Sequence, residues 1–328
     1  MMSKVFKKMI NPILFQGDLK KKNYFEGWYY KQVSENQKNV ISFIPGISLF
    51  HGDYHSFIQY IFVSIDKNNK RTTKTGYVRF KLEDFKFHQN PFRISIGENT
   101  FSESRVSINI KDKDCDINAD INLGTFTPLK KSVICPNIMG FFAYIPNMEC
   151  YHGVISMNHE VSGKIKINNE EIDFNRGKGY IEKDWGTSFP KEYLWIQCNN
   201  FEDKGTSVFL SVADIPFGKK SFRGYIVNLL VHGKQHRFAT YNNSKLEIEE
   251  INDKKIKISL ENKDGILKIE GRLTQPCGLM APKKGEMNIP VKEELSGEVK
   301  LYFLNKRNKQ IYEGKGSIAG IEVVGFNF

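Results

Sequence analysis

The chain has 328 residues, 40% hydrophobic and 13% aromatic, with 25 Phe and 14 Tyr, enough apolar surface for one large or two medium domains and a bias towards strands. Its net charge of +11 invites a nucleic-acid partner, but only nine of the 48 basic residues are Arg and the Lys are scattered in short runs such as Lys20-Lys21-Lys22; planar recognition favours Arg, so no nucleic-acid partner is expected and at most a weak peripheral contact with an anionic membrane. Five cysteines, an odd number without a Cys-x-x-Cys, argue for reduced thiols in a cytoplasmic protein, no apolar run suits a signal peptide or membrane span, and the Lys, Asn and Ile abundance is that of an AT-rich, bacterial genome.

Residues 1–23 read as a basic surface arm with Pro12 and Gly17. Strands are expected at 24–33, 40–45, 55–65, 76–82, 92–96, 105–110 and 117–123, each rich in Val, Ile, Phe or Tyr and bounded by Asn, Asp, Gly or Lys. Residues 124–153, with Pro128, Pro136, Gly140 and Pro146, read as a long covering loop with one helical turn. A hairpin about Asn168-Asn169 joins 161–167 to 171–174. Strands resume at 193–201, 207–213, 222–232, 235–240, 246–250, 255–261 and 266–273. Residues 274–291, with Pro276, Pro282 and Pro290, read as a loop, and 295–304 and 311–318 close the chain. No segment shows helical periodicity over about 11 residues, so the chain is all-β. An echo at an offset of 167 pairs Trp28 with Trp195, 41–47 with 208–214 and 58–63 with 225–230. It predicts two tandem antiparallel lipocalin-like β-barrels or sandwiches, 24–185 and 186–328, after the arm 1–23. Closure removes exposed strand edges, and small barrels hold apolar ligands.

The densest motif is Gly179-Tyr-Ile-Glu-Lys-Asp-Trp-Gly-Thr-Ser-Phe-Pro190, running into Tyr193-Leu-Trp-Ile-Gln-Cys-Asn199. Residues i and i+2 of a strand share a face, so Glu182 and Asp184 lie together and Lys183 faces away. Asp-Trp-Gly reads as a sharp turn, with Gly186 free to take φ > 0 and Pro190 barring a continuing central strand. Two acids beside Trp185 and Trp195 make the pattern of an acid site. The alternative is a structural corner, with Trp185 plugging a barrel end and the acids bonding backbone amides. Glu26, Trp28 and Tyr30 also share a face; pointing inwards, Glu26 is an acid among aromatics, and pointing outwards it is an ordinary surface carboxylate. His51-Gly-Asp-Tyr-His55 aligns two His and one Asp but lacks a fourth ligand, so a hydrogen-bonded loop is expected, with His55 a polar group of a cavity. His152 reads as a rim histidine. There is no phosphate loop, Gly-x-Ser-x-Gly, His-Glu-x-x-His or dinucleotide fingerprint, so hydrolase and dehydrogenase readings lose support.

Phe25-Glu-Gly-Trp-Tyr-Tyr30 resembles the Phe-Glu-Gly-Trp-Tyr-Phe of tocopherol cyclases. Glu182-Lys-Asp-Trp-Gly186, Phe189-Pro-Lys191 and Trp195-Ile-Gln-Cys-Asn199-Asn-Phe-Glu202 resemble that family's Ser-Glu-Lys-Asn-Trp-Gly, Phe-Pro-Arg and Trp-Val-Gln-Cys-Asn-x-Phe-Glu. Gly297-Glu-Val-Lys-Leu301 and Ser317-Ile-Ala-Gly-Ile-Glu-Val323 are similar to its closing strands. The match runs from 24 to about 325; it departs at Asp184, where plant members carry Asn, and in shorter first-half insertions. The family is related to two-domain lipocalin-like proteins that include carotenoid hydratases. The resemblance implies tandem barrels, no metal and no cofactor. It also implies protonation of a prenyl alkene followed by attack of a phenol oxygen to close a chromanol, which needs an acid, cation-stabilising aromatics and exclusion of water. The candidate catalytic acids are Asp184, Glu182 and Glu26. The candidate substrate-binding residues are Trp28, Tyr30, His55, Trp185, Trp195 and Gln197, and the expected partner is an apolar or prenyl-lipid small molecule. A non-catalytic lipocalin-like carrier and an isoprenoid hydratase stand as alternatives.

Overall fold

The computed structural model describes residues 4–326 other than 114, 219 and 308. Alternation drives the fold: Asp116–Leu123 reads Asp-Ile-Asn-Ala-Asp-Ile-Asn-Leu and buries every second side chain, as a sheet with one apolar face requires. The strands are β1 (Tyr24–Val33), β2 (Asn39–Phe50), β3 (Asp53–Ile65), β4 (Arg71–Lys81), β5 (Phe85–Gln89), β6 (Phe92–Ile96), β7 (Asn99–Ser102), β8 (Arg105–Lys111), β9 (Asp116–Leu123), β10 (Cys150–Ile167), β11 (Glu170–Asp173) and β12 (Gly177–Gly186), then β13 (Tyr193–Cys198), β14 (Ser207–Phe217), β15 (Lys220–Val231), β16 (Lys234–Ala239), β17 (Lys245–Ile251), β18 (Lys255–Asn262), β19 (Gly265–Arg272), β20 (Cys277–Lys283), β21 (Glu286–Leu304) and β22 (Gln310–Val324). The chain divides into two compact units, Met1–Phe189 with Leu279–Pro290, and Pro190–Gly278 with Val291–Phe328.

The first unit is built on a 12-stranded antiparallel sheet in the order β4-β3-β2-β1-β12-β10-β9-β8-β7-β6-β5, with β11 on β10. The sheet curls onto itself. Trp28 of β1 meets Phe85 of β5 and Phe92 of β6 at 6.3 and 6.0 Å between ring centroids, although those strands are far apart in the sheet. Trp28, Tyr30, Phe43, Tyr60, Phe101 and Ile165 belong to its core. Each aromatic pair adds about 0.5–1.5 kcal/mol beyond the area it buries. The second sheet has 10 strands, ordered β16-β15-β14-β13-β22-β21-β19-β18-β17 with β20 on β21. It curls likewise, bringing Phe238 of β16 to 6.3 Å from Phe303 of β21. Both sheets are all-β and antiparallel, but neither strand order closes into a complete barrel.

The internal echo holds for strand order. In each sheet a four-strand meander has its first strand paired with the sheet's last, β1 with β12 and β13 with β22. It does not hold residue for residue. Trp28 lies in the first core, whereas β13 contributes Leu194, Ile196 and Cys198 to the second core and Trp195 faces away. A one-residue difference in register exchanges the faces of a strand.

Strands β5 and β7 are not among those expected, and three longer stretches also depart from the sequence expectation. The lead-in is not a surface arm: after helix α1 (Lys4–Ile10), Ile13, Leu14 and Phe15 are buried, because this apolar run outweighs the flanking lysines. Residues 1–3 lie outside the described residues. The stretch after 124 carries the expected single helical turn, Gly140–Tyr144, but gives way to β10 at Cys150. Register shifts between Val154 and His159 break the alternation that would have marked the strand's first half. Residues 274–291 hold β20 and the start of β21 rather than a loop. Pro282 is tolerated there because β20 pairs on one side only. Within the first unit, the Gln59 amide exchanges bonds of 3.0 and 2.8 Å with the backbone of Met280. None of the described helices is long and apolar enough to cross a membrane.

Candidate active site

The site is built on β12 and its two neighbours. Alternation along Tyr180-Ile-Glu-Lys-Asp-Trp185 places Tyr180, Glu182 and Asp184 on one face and Ile181, Lys183 and Trp185 on the core face. Register with β10 sets His152 opposite Asp184 and Val154 opposite Glu182. Register with β1 sets Tyr29 opposite Glu182 and Trp28 opposite Lys183. The strand does not turn at Asp-Trp-Gly; it runs through Gly186, where φ is 152° and a Cβ would lie 2.2 Å from the carbonyl oxygen of Glu149. Only glycine fits that approach.

His152 stands between the two acids. Its Nδ1 is 2.8 Å from Asp184 Oδ1, and its Nε2 is 3.6 Å from Glu182 Oε2. The Tyr180 hydroxyl donates to Glu182 Oε2 at 2.6 Å, and Cys150 Sγ lies 3.8 Å from Asp184 Oδ1. Side-chain exposure is 6% for Glu182, 12% for His152 and 23% for Asp184. The group is therefore screened from water and opens most at Asp184. Burial draws the His152 imidazole down, but Asp184 and then Glu182 outweigh it and lift its pKa to about 9, so the ring is cationic at neutral pH. Burial and then Glu182 hold the Tyr180 phenol well above its usual value. Chemically, this is a proton held between two carboxylates. The ligand atoms of the same three side chains lie within 4.8 Å of one another, which makes them a set able to hold a divalent cation. The 2.8 Å separation of His152 and Asp184 is that of a hydrogen bond.

The other face of β12 is structural. Lys183, fully buried, pairs with the fully buried Glu26 and donates to the Leu14 carbonyl at 2.5 Å. Its ammonium lies 4.3 Å from the Trp28 ring centroid and 5.2 Å from that of Trp185. Glu26 also accepts from the backbone N–H of Gln16 at 2.7 Å and of Gly17 at 2.9 Å, and from the Tyr24 hydroxyl. Burial pulls Lys183 down to about 8 against the opposing pull of Glu26. Glu26, Trp28 and Trp185 are thus brought together with each other, on the face opposite Glu182 and Asp184. Tyr30 is on that core face too. His55 lies on β3, with Nε2 2.7 Å from the Tyr77 hydroxyl and Nδ1 3.1 Å from the Asp53 carbonyl oxygen, while His51 is exposed at the β2–β3 turn. Burial, then the charge of Arg79, lowers the His55 pKa below the usual imidazole value.

In the second unit, Trp195 and Gln197 share the face of β13 that turns away from the core. Gln197 is fully buried and donates to Asn199 Oδ1 at 3.3 Å. Glu322 sits beside Trp195 in the sheet, accepts from the Tyr193 hydroxyl at 2.6 Å, and is itself beside the fully buried Glu293. Sequence reasoning singled out neither Glu293 nor Glu322, and it left His152 and Tyr180 out of the site. For His152 the available signal was the Val154-Ile155 pair just after it, which marks β10 as a strand well before 161.

The sequence profile of the tocopherol cyclase-like family matches residues 129–325. A probable chloroplastic tocopherol cyclase of Oryza sativa subsp. japonica is 26% identical over 197 residues, 57% of this chain and 42% of that protein. The chloroplastic tocopherol cyclase of Zea mays is 32% identical over 74 residues, 23% of this chain and 16% of that protein. The chain thus spans less than half the length of the curated relatives it matches. In fold it is similar to crystal structures of kievitone hydratase from Nectria haematococca (TM-score 0.53, 10% identity, 92% of this chain and 88% of that one) and of CghA with Sch210972 (TM-score 0.58, 9% identity, 92% and 88%). Identities that low speak to the fold alone. The profile spans more than half of the chain and contains all three members of the His152 group, and the chain accordingly belongs to the tocopherol cyclase-like family.

Proposed function

We propose that the protein is an isomerase that closes a prenylated hydroquinone-type lipid to a chromanol by acid catalysis, without a cofactor. The observation that carries this reading is His152 between two carboxylates. Cyclisation consumes one proton at an alkene carbon and releases one from a phenol, so a site for it has to give a proton at one point and take one back at another. His152, cationic between the two carboxylates, passes its proton to Glu182, which hands it to the alkene. The phenol oxygen attacks the resulting tertiary cation, the C–O bond forms, and the phenolic proton passes to Asp184. His152, bonded to Asp184 and 3.6 Å from Glu182, takes it back and is again cationic, so atoms and charge balance. Glu182 takes the donor role because it is the drier of the two acids, and because the plant motif keeps Glu there while carrying Asn at the place of Asp184. Tyr29 and Tyr180 are aromatic groups on the acid's own face, beside Glu182 in the sheet and bonded to it respectively, and serve the cation. Trp28 and Trp185, engaged by Lys183, hold β12 in place.

The test is incubation with prenyl-hydroquinones and mass spectrometry for chromanol. One carbon-bound deuterium per turnover in heavy water, and loss of turnover with binding retained in Glu182→Gln, are expected. Tight binding with no product under any condition leaves a carrier, and oxygen-18 taken up from labelled water makes the protein a hydratase.

A further inference from the structure

We infer that the covering segment 124–148, together with helix α1, is a surface by which the first unit docks on an anionic membrane. Neither stretch contains an acidic residue. Positions 1–17 hold Lys4, Lys7 and Lys8, and 124–148 holds Lys130 and Lys131. Among the described residues the most exposed large hydrophobic side chains gather on the same two stretches: Val133 and Ile134 are each 76% exposed and Val5 71%, with Phe141 and Tyr144 exposed beside them. Apolar side chains scattered singly over a surface need no explanation, but a group of them rimmed by charge of one sign marks a place where something other than water is met.

The group is held in shape from behind. Val133 and Ile134 form the middle of a tight turn whose ends, Ser132 and Cys135, exchange backbone bonds of 3.0 and 3.1 Å. Phe141 and Tyr144 stand three apart on the 3₁₀ turn Gly140–Tyr144, so they share a face, and the Tyr144 hydroxyl donates to the Val133 carbonyl. Helix α1 is tied to this segment by the Asn137 amide, which donates to the Met9 carbonyl at 3.0 Å, and by Lys131, which donates to the Ile10 carbonyl. A stable protein interface needs roughly 1,000 Å² of complementary surface. A few apolar side chains set among lysines, with no carboxylate on the segment to repel a negative surface, fit a bilayer instead: branched and aromatic side chains enter the headgroup layer, and each lysine adds attraction to anionic lipid. Both stretches abut the start of β10. The Tyr151 hydroxyl donates to the Ile145 carbonyl at 2.7 Å, and a Cβ on Gly153 would lie 2.3 Å from Cβ of Pro12, with His152 between those two positions. On the cyclisation reading a prenylated substrate reaches that end of β10 from the bilayer; the docking itself does not rest on that reading.

The experiment is flotation of the full chain with vesicles of phosphatidylcholine alone and of equal parts phosphatidylcholine and phosphatidylglycerol, at low and high salt, with thermal unfolding of each variant. The native chain is expected to bind the anionic vesicles more tightly than the neutral ones and to lose most of that preference at high salt. Val133→Ser with Ile134→Ser lowers binding to the anionic vesicles about 10-fold at an unchanged melting temperature, because both side chains are exposed. Phe141→Ser gives a smaller loss and serves if the double variant does not fold. Lys7→Gln and Lys130→Gln each lower it about 5-fold and flatten the salt dependence. Tyr54→Ser, at an exposed aromatic elsewhere on the same unit, leaves it as in the native chain. A native chain that floats with neither vesicle overturns the docking surface. So does binding that the lysine variants weaken and the Val133, Ile134 and Phe141 variants do not, which is diffuse charge attraction, or an equal loss in Tyr54→Ser. Self-association in sedimentation velocity that the double variant abolishes, without vesicle binding, makes the patch a contact between copies and overturns it too. The vesicles contain no quinol, so docking without any chromanol formation refutes the cyclisation alone, and chromanol formation without docking refutes this surface alone.

Discussion

Replacing Asp184 by Asn removes the charge closest to His152 while keeping an oxygen to accept its Nδ1–H. In the native chain burial lowers the imidazole and the two carboxylates raise it, with a net value of about 9, against an ordinary value near 6.5. That gap is worth roughly 3 kcal/mol in favour of the cationic ring. The folded value lies above the unfolded one, so this stabilisation is complete below about pH 6.5 and is lost as the pH rises through about 9. In Asp184→Asn only Glu182, at 3.6 Å, opposes burial. The His152 pKa then falls towards or below the ordinary range, and the alkaline loss of stability largely disappears. Two-dimensional NMR of the histidine rings in the full chain measures the titration, with the His152 signal identified by its absence in His152→Gln. Urea unfolding at pH 6.5 and pH 9.5 measures the linked stability. A native His152 that titrates near 6.5, or one whose titration is unmoved by Asp184→Asn, refutes the electrostatic argument.

Glu182→Gln lowers chromanol formation by about 10²–10⁴-fold with affinity retained, and Asp184→Asn, whose amide still orients His152 but cannot take up the phenolic proton, lowers it as well, by less, about 10-fold; a larger loss in Asp184→Asn than in Glu182→Gln exchanges the two roles. Dialysis against a chelator leaves turnover unchanged, and a loss restored by a divalent cation makes the same three side chains a metal site. Lys183→Met strands Glu26 in the core and destabilises the fold by about 3–5 kcal/mol in denaturant titrations, most of it recovered by adding Glu26→Gln; a cost below about 1 kcal/mol would mean that water reaches the pair. Phe15→Ala, which empties the ring contacts to Phe85 and Phe87 at 5.4 and 4.6 Å, costs about 3–5 kcal/mol, and an unaltered unfolding midpoint would show that the lead-in is not docked.

Much of the fold is legible in the residues because strand signals are local. Tyr24–Val33 has the same bounds in the sequence reading and in the structure, since Asn23 precedes it and a polar turn follows. The period of two also places Glu182 with Asp184 and sets Lys183 against them. The same period forbids Trp185 from lining the wall beside Asp184, because consecutive residues face opposite sides; nearness along the chain suggested a neighbourhood that the strand divides. Lys183 is hard to place from its type, since a lone lysine in a strand reads as the solvent side, and only the arrival of Glu26 and the Leu14 carbonyl lets it be buried.

The amino-acid sequence by itself determined that the chain is all-β and that two acids share one face of one strand, because each of these follows from side chains within a few residues of one another. The tertiary structure alone decided which face is which and that a histidine stands between the acids. His152 and Asp184 meet through the register of β10 against β12, and that register is set by bulges and by packing against distant strands, quantities that no local pattern encodes.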